Sequence, residues 1–332
     1  MSERSAYGGQ AVVEGVMIRG KTRVAAACRR PDGTIALHRE EADTLTRKYR
    51  WLALPFLRGT PALIDSMRLG YRTLMWSADQ AMEGEVTEKP QPKPSPLILI
   101  GTFIFSMAFA WLLFVFTPTL LTNYLLHPPH FPPGTLWWQQ LIPSRERLLP
   151  NLFEGLLRLL FLVVYIIVIG RSKDIKRIFA YHGAEHKVVN AYEMTGDISL
   201  ETAKRYSRIH PRCGTNFLFL FIFVAIIVHA LIGWPENRLL LYASRIVLII
   251  PIAGIAYELI RLAGKMRNTL VMDLLIWPGL LLQRLTTAEP KDDQIEVALT
   301  SMRTVLEDEG EIEPEPVADT VPETIEENSK AE

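Results

Sequence analysis

The sequence predicts an α-helical multi-pass membrane protein of about four transmembrane helices, with a small N-terminal β-containing cytoplasmic unit and a disordered acidic C-terminal tail. Three observations predict it. Apolar runs at 96–121, 152–170, 217–234 and 239–260 have the length of bilayer-spanning helices. Ahead of them, Pro31-Asp32-Gly33 sits between short apolar stretches, which is a hairpin signal. From Arg303 onward, eleven acids face two bases with almost no aromatic residues, a composition that does not bury a core.

Residues 1–45 form the β-containing unit. Arg23–Cys28 and Thr34–His38 read as strands, and Ala11–Met17 is an apolar stretch interrupted by Glu14 and Gly15. No phosphate-binding glycine pattern is present, and no signal peptide opens the chain. Residues 46–95 form an amphipathic helical segment and a Pro-rich linker, 83–96. Arg47, Lys48, Arg50, Arg58, Arg68 and Arg72 interleave there with Trp51, Tyr71, Trp76 and many aliphatics. That pattern reads either as a helix in the membrane interface or as one packed on the β unit.

Residues 96–285 form the membrane domain. In the second apolar run, Glu154 and Arg158 are four apart and can pair. His229 near the end of the third is expected to reach the interface, and Arg245 near the start of the fourth to snorkel. The loop between the first two runs carries His127, His130 and the interfacial pair Trp137-Trp138. Thr269–Leu285 is broken by Pro278-Gly279 and reads as a re-entrant, interfacial or core helix. Residues 286–306 form an amphipathic C-terminal helix, and 307–332 the tail. Segment 171–216 holds nine Lys or Arg. This excess places it, together with both termini, in the cytoplasm.

Zero net charge gives no pull toward nucleic acid, so the expected partner is the lipid bilayer. Two cysteines, Cys28 and Cys213, are too few for a disulfide framework. The chemistry gathers in 171–216. His182 and His186 are four apart and share a helix face, with Glu185 beside it. This is the His-x-x-Glu-His order in which two histidines bind zinc and the glutamate acts as base. His210 and Cys213 follow within the same short stretch. All four of His182, His186, His210 and Cys213 would close a tetrahedral Zn2+ site of structural type. Three of them would leave a coordination position for water and make Glu185 a catalytic base. Glu193 and Glu258 are further ligand candidates. The other reading is a hydrogen-bonded knot that docks the loop, in a non-catalytic scaffold or assembly factor.

The stretches Gly8-Gly9-Gln10-Ala11-Val12-Val13-Glu14-Gly15-Val16-Met17-Ile18-Arg19-Gly20, Pro55-Phe56-Leu57-Arg58-Gly59, Tyr181-His182-Gly183-Ala184-Glu185-His186-Lys187, His210-Pro211-Arg212-Cys213-Gly214-Thr215, Pro278-Gly279-Leu280 and Leu285-Thr286-Thr287 together resemble the YqhQ-like family of bacterial membrane proteins. The resemblance runs from about Tyr7 to Leu306. It implies a bacterial inner-membrane protein of unknown function, described for the family as a metal-dependent enzyme. It also draws attention to Glu14, Arg19 and Arg58. They would either complete a site with His182 and Glu185 or tie the β unit to the membrane helices by salt bridges.

Overall fold

The computed structural model describes residues 7–82, 95–126, 145–234, 238–265 and 269–313. Most of the linker 83–96, the loop residues His127, His130, Trp137 and Trp138, and the tail beyond Glu313 lie outside the described residues.

Four strands, β1 (Gly8–Val12), β2 (Gly15–Arg19), β3 (Arg23–Arg29) and β4 (Ile35–Glu41), form an antiparallel meander in sequence order. The expected hairpin is there, with Ala27 opposite Leu37. Its turn is closed by Gly33 at φ 89° and by Asp32, whose carboxylate accepts the Thr34 N–H at 2.9 Å. Glu14 and Gly15, which appeared to interrupt an apolar stretch, mark a second hairpin. Val13-Glu14 is its turn, with Glu14 at φ 52°. The signal was weak because neither residue favours the left-handed region.

Both faces of the sheet are covered. Val16, Ile18, Ala25 and Ala27 pack against α6 (Lys173–Thr195) and α12 (Asp292–Asp308). Met17, Val24 and Ala26 pack against Leu69 and Trp76 of α2 (Gly59–Met82). The alternation of period two sends neighbouring residues to opposite helical layers. Thus α2 is packed on the β unit, and its other face still exposes Ile64, Met67 and Tyr71.

The C-terminal helix therefore begins later than expected, at Asp292, and residues 307–313 do not belong to a disordered tail. Asp308 pairs with Arg39 at 3.1 Å. The Glu309 carboxylate accepts the Thr22 N–H at 2.7 Å and the Tyr7 hydroxyl at 3.0 Å. The acidic composition hid this because the partners lie at the other end of the chain. Burial opposes the Glu309 charge, but the donors from Thr22, Tyr7 and Arg23 outweigh it and hold the carboxyl below its ordinary range. A depressed carboxyl contributes stability above its unfolded-state pKa and loses it as pH falls through the folded one. Glu309→Ala is expected to cost about 1–2 kcal/mol near neutral pH. It should also flatten the acid limb of the stability curve, read by thermal unfolding of the detergent-solubilised protein between pH 3 and 7.

Among the described residues, four helices are long and apolar enough to cross a membrane: Ile100–Leu126, Leu148–Ile169, Gly214–Ile232 and Arg238–Ala263. The first joins α3 (Pro96–Trp111) to α4 (Thr117–Leu126) through a π-helical turn, Leu112–Phe116. The second is α5 (Arg145–Ile169) and the third α8 (Gly214–Ile232). The fourth is α9 (Arg238–Val247) followed by α10 (Ile249–Lys265). The helix α11 (Leu270–Thr286) contains Pro278 and packs along α8 rather than adding a span.

Two expectations fail inside this bundle. Arg245 does not snorkel and His229 does not reach an interface; they are 2% and 3% exposed. Arg245 Nη2 bonds Glu154 Oε2 at 2.9 Å, and Arg158 Nη2 bonds Glu154 Oε1 at 2.5 Å. The Thr119 hydroxyl donates to the same carboxylate, and Asn151 accepts from Arg245. The i,i+4 pair was legible; the third charge arrives from a helix 91 residues further on. With a carboxylate within reach, the Arg245 guanidinium has no need of the headgroup region.

Candidate metal centre

The site is assembled from α6, the start of α8 and the end of α11. Because α6 is regular, His182 and His186 project from one face, and their ring centroids lie 4.4 Å apart. Between α6 and α8 lie α7 (Leu200–Arg205) and an irregular loop, 206–212. Lys187 Nζ donates to the Lys204 and Tyr206 carbonyls at 3.1 and 3.0 Å, and Asn190 Nδ2 to those of Ser207 and Ile209 at 2.8 and 3.1 Å. These contacts hold the returning loop against α6 and deliver Cys213 to the histidines. Cys213 is the N-cap of α8, and its sulfur accepts from Thr215 N at 3.5 Å.

One potential ligand atom from each of His182, His186 and Cys213 lies within 4.8 Å of the other two. His182 Nε2 is 3.2 Å from Cys213 Sγ. His182 Nδ1 donates to the Thr286 carbonyl at 2.9 Å, and His186 Nδ1 to the Arg208 carbonyl at 2.7 Å. A carbonyl can only accept, so each bond fixes the proton on Nδ1 and leaves the Nε2 lone pair for the site. Metal-binding histidines are held in this way. Glu185 is 4% exposed, with Oε2 3.4 Å from His186 Nε2.

His210 is brought near but not into this trio. Its ring is 5.7 Å from that of His186. Its Nδ1 accepts the Arg212 N–H at 3.3 Å, and Nε2 faces Glu193 at 3.4 Å. Glu193 also pairs with Arg212, and Glu258 pairs with Arg58 at 2.6 Å, so neither joins the trio. Gln283 of α11 fixes the His210 backbone through two bonds, at 3.0 and 2.8 Å.

The sheet forms the opposite wall. A cavity of about 380 Å3 lies between Gly9, Met17 and Arg19 on the strands and Glu185, His186 and Cys213. Glu14 and Arg58 serve as bridges, to Arg177 and Glu258. Arg19 is different: it lines the cavity, and among the described residues its side chain has no ion-pair partner. Burial and the neighbouring Glu14 push the Tyr181 phenol up, so it stays protonated and donates to that carboxylate. Sequence reasoning missed the roles of Lys187, Asn190, Gln283 and Thr286, since each acts through a main-chain group of a distant segment. Of these, Lys187 and Thr286 lay in stretches carrying the resemblance.

The family profile described as "Protein of unknown function (DUF1385)" matches residues 54–308. A curated relative, "Uncharacterized protein YqhQ" from Bacillus subtilis strain 168, is 37% identical over 312 residues, covering 91% of this chain and 92% of its own length. The chain belongs to the DUF1385 family. All of the histidine, cysteine and glutamate residues of the site fall inside the DUF1385 match, whereas β1 and β2, which wall it, precede the matched region. No solved structure matches this DUF1385 chain.

Proposed function

We propose that the chain is a metal-dependent hydrolase held at one face of a membrane, with His182, His186 and Cys213 as zinc ligands and Glu185 as general base. The observation that carries this reading is the paired tautomer lock: both histidines spend Nδ1 on carbonyls, which leaves Nε2 for a ligand, and one potential ligand atom of each lies within 4.8 Å of Cys213 Sγ. Three protein ligands of nitrogen and sulfur are the complement of a catalytic zinc site, whereas structural sites use four. His210, with both ring nitrogens committed, stands beside the set rather than closing it. A divalent ion held there would polarise water and a carbonyl or phosphoryl centre. Glu185 is placed to take the proton of the attacking water and to return it to the leaving group.

A scaffold reading has its own support. The His182–Cys213 contact and the bonds to Thr286 and Arg208 join α6, α8 and α11 without an ion. Metal content of the purified full chain, with complementation of a bacterial deletion strain, separates the two. Wild type is expected to hold about one zinc per chain. His186→Ala and Cys213→Ala should lose it, and His210→Ala should keep it. Glu185→Gln should keep the metal and fail to complement. Metal-free wild type would sink the hydrolase, and full complementation by Glu185→Gln would leave only the scaffold.

A further inference from the structure

We infer that the substrate is an anionic phospholipid of the adjoining leaflet, drawn along α2 with its acyl chain in an apolar groove and its phosphate on a cluster of basic residues; this deepens, and rests on, the hydrolase reading. Three cavities lie in series along α2. The first, about 610 Å3, is apolar, with Leu52, Phe56 and Ile64 facing Ile250 and Ile255 of α10. The second, about 810 Å3, is walled by charged groups that include Arg19, Lys48 and Arg68. The third is the cavity at the metal centre. Leu45 belongs to the walls of the first and second, and Arg19 and Leu69 to those of the second and third. The three cavities therefore adjoin one another through shared walls.

Taking Arg238–Ala263 as a span puts the entrance at membrane depth. The loop before α2 packs on α10 at Gly254, where an added Cβ would collide with the Phe56 carbonyl oxygen. Gly254 is eleven residues before the end of α10 at Lys265, roughly 16 Å along the helix axis. The loop is pinned by the Arg58–Glu258 pair and by the Phe56 N–H, which donates to Glu258 at 3.3 Å. Phe56 is held at φ 65°, an uncommon conformation for an aromatic residue, with its ring 61% exposed beside exposed Trp51 and Leu57. An apolar groove with this rim, against a spanning helix, opens where acyl chains are.

The middle cavity sets the headgroup. Arg23, Arg39 and Arg72 are paired with Glu41, Asp308 and Glu40. Asp65 accepts the Leu45 N–H at 2.9 Å. Arg19, Lys48 and Arg68 have no acidic partner among the described residues, and Asp43 is the remaining carboxylate of the wall. A soluble anion would use these cations but not the groove, and a neutral lipid would use the groove alone. An anionic phospholipid uses both. In the reaction, water supplies the oxygen that bonds to the carbonyl or phosphoryl centre. Glu185 carries the water's proton to the alkoxide released by the broken ester bond.

The test places the full chain in phosphatidylcholine nanodiscs containing a phosphatidylglycerol with a photoreactive group at the acyl end. Cross-links are expected on 52–64 and 250–255. Arg19→Ala with Arg68→Ala should lower their yield on the order of tenfold. A phosphatidylcholine probe of the same chain should be indifferent to that change. Ile64→Trp, which fills the groove, should abolish both. Cross-links spread evenly over the outer faces of α3 and α5, or an undiminished phosphatidylglycerol yield in the double arginine variant, would overturn the inference. His186→Ala is run alongside and should cross-link as wild type does, so that failure of the metal reading and failure of the lipid route give different results.

Discussion

Replacing Glu154 by alanine is expected to destabilise the bundle of apolar helices by about 3–5 kcal/mol. Glu154 is 1% exposed and receives Arg158, Arg245 and Thr119. Its removal strands two guanidinium groups, and Arg245 is 2% exposed with no water to turn to. Glu154→Gln should cost nearly as much, because it retains the shape and loses the charge. Replacing the whole set, Glu154→Leu with Arg158→Leu and Arg245→Met, should recover much of the loss, since no unpaired charge remains. Unfolding in detergent micelles, followed by circular dichroism, measures all three. A triple variant no more stable than Glu154→Ala would show that the contacts, rather than the stranded charges, carried the effect.

On the metal-site reading, Gly183→Val is expected to abolish zinc binding while leaving the chain helical. A Cβ at Gly183 would collide with the Ala288 carbonyl oxygen, in the segment linking α11 to α12. That segment is fixed to α6 by the Ala288 N–H, which donates to the Phe179 carbonyl at 2.8 Å. Next to it, the Thr286 carbonyl holds the His182 ring. Pushing α6 away by the width of two methyl groups should cost about 2–3 kcal/mol. It should also free His182 to rotate out of the trio. Metal content and circular dichroism on the same preparation read both effects. Gly101→Ala, where nothing lies within 4 Å of the added atom, is the control and should stay within about 0.5 kcal/mol of wild type. Retention of metal by Gly183→Val would remove Thr286 from the account of how His182 is oriented.

What could be read from the sequence was local. Periodicity and length gave the four apolar helices, and the i,i+4 spacing of His182 and His186 gave the face they share. The Asp-Gly turn gave the β3–β4 hairpin. What could not be read was long-range. The exclusion of His210 depends on Glu193 and Gln283, and that choice turns a four-ligand reading into a three-ligand one. Arg245 looked like a snorkelling residue because its partner is in another helix. The Val13-Glu14 turn was hidden by residues that rarely form one. Glu309 looked like tail because its donors are on the first strands. Spacing reports neighbours along a helix or strand, and it carries no information about which segments meet.

The bond between Tyr7 and Glu309 spans 302 residues, and it sets the order in which the molecule can be completed. The sheet is finished at Glu41, but the α12 helix that seals one of its faces ends at Asp308, which is 267 residues later by subtraction. At bacterial elongation rates of about 5–20 residues per second, that gap is roughly 15–50 s. Throughout it the four long apolar helices are being made while Val16, Ile18, Ala25 and Ala27 wait for their cover. Strands rich in alanine and valine, left half-clad beside a membrane for that long, are exposed to misassociation with other nascent chains. Among the described residues, the last helix thus closes over strands made some 267 residues earlier.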